Sequence, residues 1–192
     1  MKRFLPAFLL ITAIIITPAF YFAKKHKLNH VAYAIGQDVL KTNPYLGIIH
    51  KCDIKIAAMS DSIVARYKET TGTTITSVIP AGVVTGSSLA VNTTPVYDVI
   101  GIGSLSKLKN YSVFIHVINK LKKSFPSVNA IIVGKGPEYD SLHKTIIDSN
   151  LKGNVILAGE LPHPETLSSL NNRQVFLHTS TYEGQSTVII EA

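Results

Sequence analysis

The sequence predicts an α/β protein with two lobes, each containing a parallel sheet flanked by helices. Short apolar runs of strand length alternate with segments of helical spacing in both halves, and the connections between them are short. An uncharged stretch without a sustained period, Val83–Pro95, separates the halves. We therefore expect a first lobe at residues 1–83, a linker at residues 84–97 and a second lobe at residues 98–192.

Composition and charge narrow the class of protein. Hydrophobic residues make up 46% of the 192 residues, which excludes a disordered or low-complexity chain. The net charge of +7 favours an anionic partner, such as a phosphate group, a nucleic acid or an anionic membrane. With no tryptophan, a base-stacking platform is not expected, so no nucleic-acid partner is predicted. The single cysteine, Cys52, excludes a disulfide framework and a cysteine-based zinc site, and it is expected to be buried.

The first 25 residues have two interpretations. Residues 4–23 carry no charge and as a helix would reach about 30 Å, enough to span a membrane. Pro6 and the β-branched residues of Ile11–Thr17 favour instead a buried strand, followed by a helix from Pro18 to about Lys25. The residues alone leave both interpretations open.

The rest of the first lobe is predicted from alternating apolar runs and turn residues. Ser60, Asp61 and Ser62 supply capping chemistry for a helix through Glu69. A turn is expected at Gly36-Gln37-Asp38. The other predicted elements are strands at Asn29–Ile35, Ile54–Met59 and Ile75–Ile79 and a short helix at Leu46–Lys51.

The second lobe shows the clearer alternation. Its predicted strands are Val99–Gly103, Val128–Val133, Val155–Ala158 and Val175–His178. Its predicted helices are Tyr111–Lys123, Glu138–Ser149, Pro164–Leu170 and a last one that begins after Gln185. No Gly, Asn or Pro closes the apolar segment at the end of the chain, so we expect a truncated lobe.

Two glycine-containing loops follow predicted strands, where ligands bind in parallel α/β folds. In the loop 101–110, glycines would let a phosphate approach the backbone, and Lys107 or Lys109 could neutralise it. The alternative is a structural turn with solvated lysines. For the loop Gly134–Glu138, packing is favoured over ligand contact.

Two carboxylates, Glu183 and Glu191, stand eight residues apart near the end of the chain. On a helix this spacing corresponds to about 80° of rotation and about 12 Å of rise. With Glu183 in the preceding loop, both could face one crevice from opposite ends of an elongated ligand and accept hydrogen bonds from sugar hydroxyls. The alternative is that Glu191 is a solvated residue on an amphipathic helix.

Four segments of the second lobe, in this order, resemble the retaining glycosyltransferases of family 4, and three segments of the first lobe resemble them more loosely. Those of the second lobe read G-S-L-S-K-L-K-N at 103–110, N-A-I-I-V-G-K-G-P-E at 129–138, N-V-I-L-A-G-E-L-P at 154–162 and V-F-L-H-T-S-T-Y-E-G at 175–184, followed by the E-x7-E pair at Glu183 and Glu191. Those of the first lobe read A-I-G-Q-D-V at 34–39, I-A-A-M-S-D-S at 56–62 and V-I-P-A-G-V at 78–83.

This resemblance implies the two-lobed GT-B fold, with two incomplete Rossmann-like lobes. The first lobe would lie on the acceptor side, and the second would hold a UDP- or GDP-sugar as co-substrate. Transfer to a glycan, lipid or small-molecule acceptor would be retaining and would need neither a metal nor a further cofactor. Lys109 matches the diphosphate-binding lysine, Glu183 the carboxylate at the donor sugar and Glu191 the carboxylate at the ribose.

The site predicted from the resemblance has two catalytic residues, Lys109 and Glu183. Its donor-binding residues are Gly103, Ser104, Lys109, Glu183, Gly184, Gln185, Ser186 and Glu191. Two positions depart from the family pattern: Ser104 stands where many members have Arg, and Ile35 where many have His. A remnant that only binds nucleotide is therefore the first alternative function.

The resemblance also bears on the first 25 residues and on location. Relatives place a strand and a helix before the Gly-x-Asp turn, which favours a buried element over a membrane span at residues 11–27. We expect a cytoplasmic protein, with association at the inner membrane surface as a further expectation. A basic membrane-anchored protein is the second alternative.

Overall fold

The computed structural model describes residues 19–43, 46–47, 54–83, 96–171 and 173–192. The chain divides into two compact units, Met1–Gly82 and Val83–Ala192. The predicted strand Ile11–Thr17, Cys52 and most of the predicted linker lie outside the described residues. Within the described ranges, no helix is long and apolar enough to cross a membrane.

The first unit contains a three-stranded parallel sheet with the order β1-β2-β3. Its strands are β1 (Val31–Ala34), β2 (Lys55–Ala58) and β3 (Ser77–Val78); its helices are residues 19–25, a 3-10 turn at Gln37–Val39 and α1 (Asp61–Thr71). Ile63 and Tyr67, one helical turn apart on α1, are buried in a core with Ala34 and Ala58. The expected turn after β1 is thus a 3-10 turn, and the Asp38 carboxylate holds it by accepting a 2.7 Å hydrogen bond from the backbone of Gly36.

The second unit is a four-stranded parallel sheet with the order β6-β5-β4-β7. Its strands are β4 (Tyr97–Ile102), β5 (Ala130–Val133), β6 (Val155–Gly159) and β7 (Arg173–Phe176). Its helices are α2 (Tyr111–Leu121), α3 (Tyr139–Asp148), α4 (His163–Asn171) and α5 (Thr187–Glu191). The predicted order of strands and helices is confirmed. β4 begins two residues before and β5 two residues after its predicted start, and β7 both begins and ends two residues before the predicted Val175–His178.

Helices cover both faces of this sheet. On one face, Phe114 and Ile118 of α2 and Ile146 of α3 pack with Ile132 of β5. On the other face, Leu170 of α4 packs in a cluster with the alternate residues of β4 and β5, which are Ile100, Ile102, Ile131 and Val133. Successive side chains of a strand point to opposite faces, so both sets in these central strands are buried. This explains why the strands are continuous apolar runs.

The strand order reverses between β4 and β7. The chain runs from β4 to β5 and β6 on one side of the sheet and then returns to place β7 on the other side of β4. In such sheets the loops at the carboxyl ends of the two strands leave a crevice at the reversal point. The loops that follow β4 and β7 therefore border the crevice in which a ligand site is expected.

The loop after β5 packs against the loop after β4. A Cβ added to Gly134 would lie 2.0 Å from the carbonyl oxygen of Gly103, and one added to Gly136 would lie 2.4 Å from that of Leu105. The backbone amide of Leu105 also donates a 2.9 Å hydrogen bond to the carbonyl of Lys135. Gly134 and Gly136 thus serve packing, the interpretation that the sequence favoured for this loop.

Candidate functional site

The candidate site lies where the loop 103–110 after β4 meets the loop 177–186 after β7. Hydrogen bonds join the two loops: the backbone amide of Thr181 donates to the carbonyl of Leu108 at 2.9 Å, and the Thr179 hydroxyl donates to the carbonyl of Lys109 at 2.8 Å. These contacts fix the backbone on either side of Lys109. Two segments that are about 70 residues apart in sequence thus form one surface at the strand reversal.

Lys109 and Glu183 form an ion pair across these loops. Nζ of Lys109 lies 2.5 Å from Oε1 of Glu183, and the two side chains are 17% and 26% exposed. Gly103 makes room for the lysine, because a Cβ at that position would lie 3.1 Å from Cε of Lys109 and 3.2 Å from the Tyr111 hydroxyl. Gly103 also has a φ of 146°, a value that favours glycine. The structure thus brings together three of the predicted site residues: the side chains of Lys109 and Glu183 and the backbone of Gly103.

His178 contacts the same carboxylate. Its Nε2 lies 3.1 Å from Oε1 of Glu183, and its ring is tilted by 35° against Phe176 at 6.0 Å. Burial raises the pKa of Glu183, but the hydrogen bond and the positive charge of Lys109, together with the charge of His178 when it is protonated, hold that pKa below its ordinary value. Glu183 is therefore a carboxylate at neutral pH and a strong hydrogen-bond acceptor.

Tyr111, the first residue of α2, borders the ion pair as a neutral phenol. Its hydroxyl donates a 3.4 Å hydrogen bond to the carbonyl of Gly103. Burial, and then the negative charge of Glu183, raise the pKa of Tyr111 well above its ordinary value. The phenol consequently adds a donor and no charge to the site at physiological pH.

The pairing of Glu183 predicts a loss of stability in acid. Because the pKa of Glu183 is lowered on folding, its carboxylate stabilises the folded chain above its ordinary pKa of about 4.3, and this contribution disappears as the pH falls through the lowered value. We expect the stability advantage of the wild type over Glu183→Gln in urea unfolding to be constant from pH 7 to about pH 5 and to shrink below about pH 4. Glu165→Gln, which removes an exposed carboxylate of α4, is the control. A difference unchanged down to pH 3 would contradict the pairing.

Glu191, the last residue of α5, has a different partner. Its Oε1 lies 3.1 Å from Nε2 of His163, the first residue of α4. The side chain of Glu191 is 19% exposed, whereas that of His163 is 65% exposed. Glu191 is therefore half-buried and paired, which argues against the fully solvated alternative, but the structure does not bring it onto the Lys109 side of the site through any described contact.

The remaining predicted residues lie around the two loops. Ser104 is exposed, and its Oγ is 3.4 Å from that of Ser106. Gly184 and Gln185 are half-buried between Glu183 and α5. The Ser186 hydroxyl, just before α5, is buried and has no hydrogen-bond partner among the residues that the structure describes. Ser186 is thus the predicted residue with an unused polar atom.

The sequence analysis did not predict three residues of the site: His178, Thr179 and Tyr111. His178 and Thr179 lie in the polar segment that directly follows β7, between the strand and Glu183. Polar residues at the carboxyl end of a parallel strand are the signal that could have found them. Among the described residues, no group of three or more His, Cys, Asp or Glu side chains could hold a metal ion.

Two curated relatives match about half of the chain. Over 94 residues it is 29% identical to a subunit of the phosphatidylinositol N-acetylglucosaminyltransferase of Saccharomyces cerevisiae, which covers 49% of this chain and 21% of that protein. It is 33% identical over 94 residues to the poly(ribitol-phosphate) alpha-N-acetylglucosaminyltransferase of Staphylococcus aureus, covering 47% of this chain and 19% of that protein. The chain thus spans about a fifth of the length of these relatives.

The fold is shared with solved glycosyltransferases. The pneumococcal O-GlcNAc transferase GtfA, solved in complex with UDP and GlcNAc, superposes with a TM-score of 0.71 at 17% identity, over 90% of this chain and 36% of that one. The α/β architecture with parallel sheets is therefore part of the GT-B fold. Residues 91–192, which include the loops after β4 and β7 and the Lys109–Glu183 pair, match the family described as glycosyl transferases group 1. Since this match covers more than half of the 192 residues, the chain belongs to the glycosyl transferases group 1 family.

Proposed function

We propose that this chain binds the nucleotide-diphosphate sugar of a family 4 glycosyltransferase in its second unit, and that the sugar is transferred with retention and without a metal ion. The observation that carries the proposal is the Lys109–Glu183 pair at the strand reversal. The pair supports the proposal because a cation that could bind a diphosphate stands beside a carboxylate that could bind a sugar, at the edge where parallel sheets bind ligands. The donor-binding segment would comprise residues 98–192.

Lys109 and Glu183 would bind different parts of the donor. The ammonium group of Lys109 would meet the diphosphate charge, and the missing side chain of Gly103 would let the phosphates approach the backbone. The carboxylate of Glu183, ionised at neutral pH, would accept hydrogen bonds from sugar hydroxyls. Glu191 would accept hydrogen bonds from the ribose. Ser186, close to it in sequence, has a buried hydroxyl with no hydrogen-bond partner in the described ranges of the chain.

The chemistry follows from where the charge develops. The bond between the anomeric carbon and the β-phosphate oxygen breaks, and its electron pair goes to that oxygen. Lys109 stabilises the negative charge there, a kind of contact whose loss typically costs about 3–4 kcal/mol of transition-state stabilisation. The acceptor hydroxyl attacks the oxocarbenium-like sugar on the face that the leaving group vacates, and its proton goes to the departing phosphate.

The relatives favour one donor. Both curated relatives are named as N-acetylglucosaminyltransferases, and the pneumococcal structure contains UDP and GlcNAc. We therefore propose UDP-N-acetylglucosamine as the donor. The acceptors in the relatives' names, phosphatidylinositol and poly(ribitol-phosphate), both carry hydroxyl groups next to phosphate groups. We propose a hydroxyl of a cell-envelope glycan, a lipid or a small molecule as the acceptor.

The proposed location is cytoplasmic, with the first unit at the inner membrane surface. Tyr21 and Phe22 of the helical residues 19–25 are 64% and 59% exposed. Lys24, Lys25 and Lys27 follow them and are exposed as well. Exposed aromatic residues beside several lysines fit the interface of a membrane with anionic lipids.

A calorimetric titration of UDP, GDP and UDP-N-acetylglucosamine into the chain tests the donor site. We expect UDP and its sugar to bind, and Glu191→Ala to weaken UDP by about 10- to 100-fold because a hydrogen bond to a charged group is lost. Glu165→Ala, which removes an exposed glutamate of α4, is the matched control and should bind UDP like the wild type. If none of the three nucleotides binds to a sample whose circular-dichroism spectrum shows that it is folded, the proposal is overturned.

A nucleotide-binding remnant is the second candidate. The observation in its favour is Ser104, which is exposed and uncharged where many family members have a second cation. One cation would bind a diphosphate but would give less stabilisation to the charge that develops on it. Release of N-acetylglucosamine from UDP-N-acetylglucosamine by the wild type, and not by Lys109→Met, would reject this candidate.

A further inference from the structure

One carboxylate oxygen of the site lies close to two side-chain nitrogen atoms. Oε1 of Glu183 lies 2.5 Å from Nζ of Lys109 and 3.1 Å from Nε2 of His178. The His178 side chain is 18% exposed, and its Nε2 is buried without a well-aligned hydrogen bond within the described part of the chain. The ring is held against Phe176, so it is positioned although it is not fully bonded. The proposed donor chemistry makes no use of His178.

If Lys109 binds the diphosphate and Glu183 binds the sugar, the ion pair between their side chains is weakened. If the ammonium group of Lys109 turns to a diphosphate, the Glu183 carboxylate loses its shorter ion pair while it stays three-quarters buried. A buried charge without a partner is unfavourable, and an opposite charge within hydrogen-bond distance removes that penalty. His178 is the side chain already at that distance.

We propose that His178 is a positioning residue that binds a proton as the donor binds, and that its imidazolium replaces Lys109 as the partner of Glu183. This inference rests on the proposed donor site. The replacement keeps Glu183 ionised and in place to accept hydrogen bonds from the sugar, while Lys109 serves the diphosphate. Donor affinity then falls at high pH, because the proton that His178 must bind becomes scarce.

Among the described titratable and charged groups on the loops and helices beside the site, His178 is the one suited to this role. From the loop before α2 comes Lys109, and from α2 itself Tyr111, whose raised pKa keeps it neutral. From its own loop comes Glu183, which is ionised. Glu191 of α5 pairs with His163 of α4 and makes no described contact with His178. A histidine is the side chain that ordinarily gains or loses a proton near neutral pH.

Proton uptake on UDP binding is the direct test. The enthalpy of UDP binding at pH 7.5 is measured in two buffers that differ in ionisation enthalpy, for the wild type and for His178→Gln, which keeps a hydrogen-bond donor. We expect the wild type to take up more protons per UDP than His178→Gln, and UDP affinity to fall less than tenfold in the variant. The comparison cancels any proton that UDP itself exchanges. His116→Gln, which changes an exposed histidine of α2, should match the wild type.

The outcomes separate this role from the donor site itself. Equal proton uptake by the wild type and His178→Gln, with UDP bound to both, overturns the role of His178 and leaves the donor site standing. Absence of UDP and GDP binding to the folded wild type overturns the donor site, and the role of His178 with it. A steeper fall of UDP affinity from pH 6.5 to 8.5 in the wild type than in His178→Gln supports the role.

A second measurement needs no nucleotide. Lys109→Met takes the ammonium group away from Glu183, as binding of a diphosphate to Lys109 would, and it keeps the length of the side chain. Nuclear magnetic resonance of the histidine ring nitrogens should then show a higher protonated fraction of His178 at pH 7.0 than in the wild type. Lys107→Met, in an exposed lysine of the same loop, is the control. An unchanged fraction in folded Lys109→Met overturns the proposal.

Discussion

Lys109→Met is expected to weaken UDP binding by about 10- to 100-fold and to lower donor turnover by about 100- to 1,000-fold. The variant removes the cation of the candidate site and keeps a side chain of similar length that still passes Gly103. Turnover falls more than affinity because the charge on the β-phosphate is greater in the transition state than in the bound donor. Calorimetry gives the affinity, and release of N-acetylglucosamine gives the turnover.

Two further variants separate the loss of a phosphate contact from a loss of structure. Lys107→Met removes an exposed lysine two residues away and should change UDP affinity less than twofold. In Lys109→Met the Glu183 carboxylate is left half-buried without its nearest cation, which lowers stability. Lys109→Met/Glu183→Gln removes that charge and should recover stability without recovering UDP affinity. Full UDP affinity in Lys109→Met would exclude Lys109 from the diphosphate site.

The second unit could be predicted closely from the sequence because its central strands are buried on both faces. The runs around Ile100 and Ile132 are continuously apolar, and the predicted strands Val99–Gly103 and Val128–Val133 coincide with β4 and β5 within two residues. In these two strands, the side chains that are buried in the fold are the same ones that form the apolar runs of the sequence. The helical spacing of Val117, Ile118 and Leu121 likewise predicted α2.

The start of β7 could not be predicted in this way. The strand begins with Arg173 and Gln174, which are polar and stand at the edge of the sheet. Gln174 is held there by a 3.1 Å hydrogen bond to Asp98 of β4, a contact between residues 76 positions apart that no local pattern shows. The apolar residues therefore predicted a strand at Val175–His178, two residues too late.

The shifted position of β7 limited how much of the candidate site could be predicted from the sequence. As the end of a strand, His178 had no predicted role, whereas in the loop after β7 it lies beside Glu183. The sequence resemblance implies one role for Lys109, at the diphosphate, and another for Glu183, at the donor sugar, and it implies no contact between the two side chains. The direct contact between the two side chains depends on tertiary packing and was not predictable from their spacing in the sequence.

Gly134→Ala is expected to destabilise the chain by about 3 kcal/mol or more, a large part of the stability of a small domain. Its Cβ would lie 2.0 Å from the carbonyl oxygen of Gly103, and at a φ of 145° alanine adds backbone strain of about 1–3 kcal/mol. The two loops must move apart, which displaces Gly103 and with it the path of the Lys109 side chain, so UDP affinity falls as well. Urea unfolding followed by circular dichroism gives the stability. Gly153→Ala is the matched control, because a Cβ there meets nothing within 4 Å, and equal stability of the two variants would show that the loops do not pack as described.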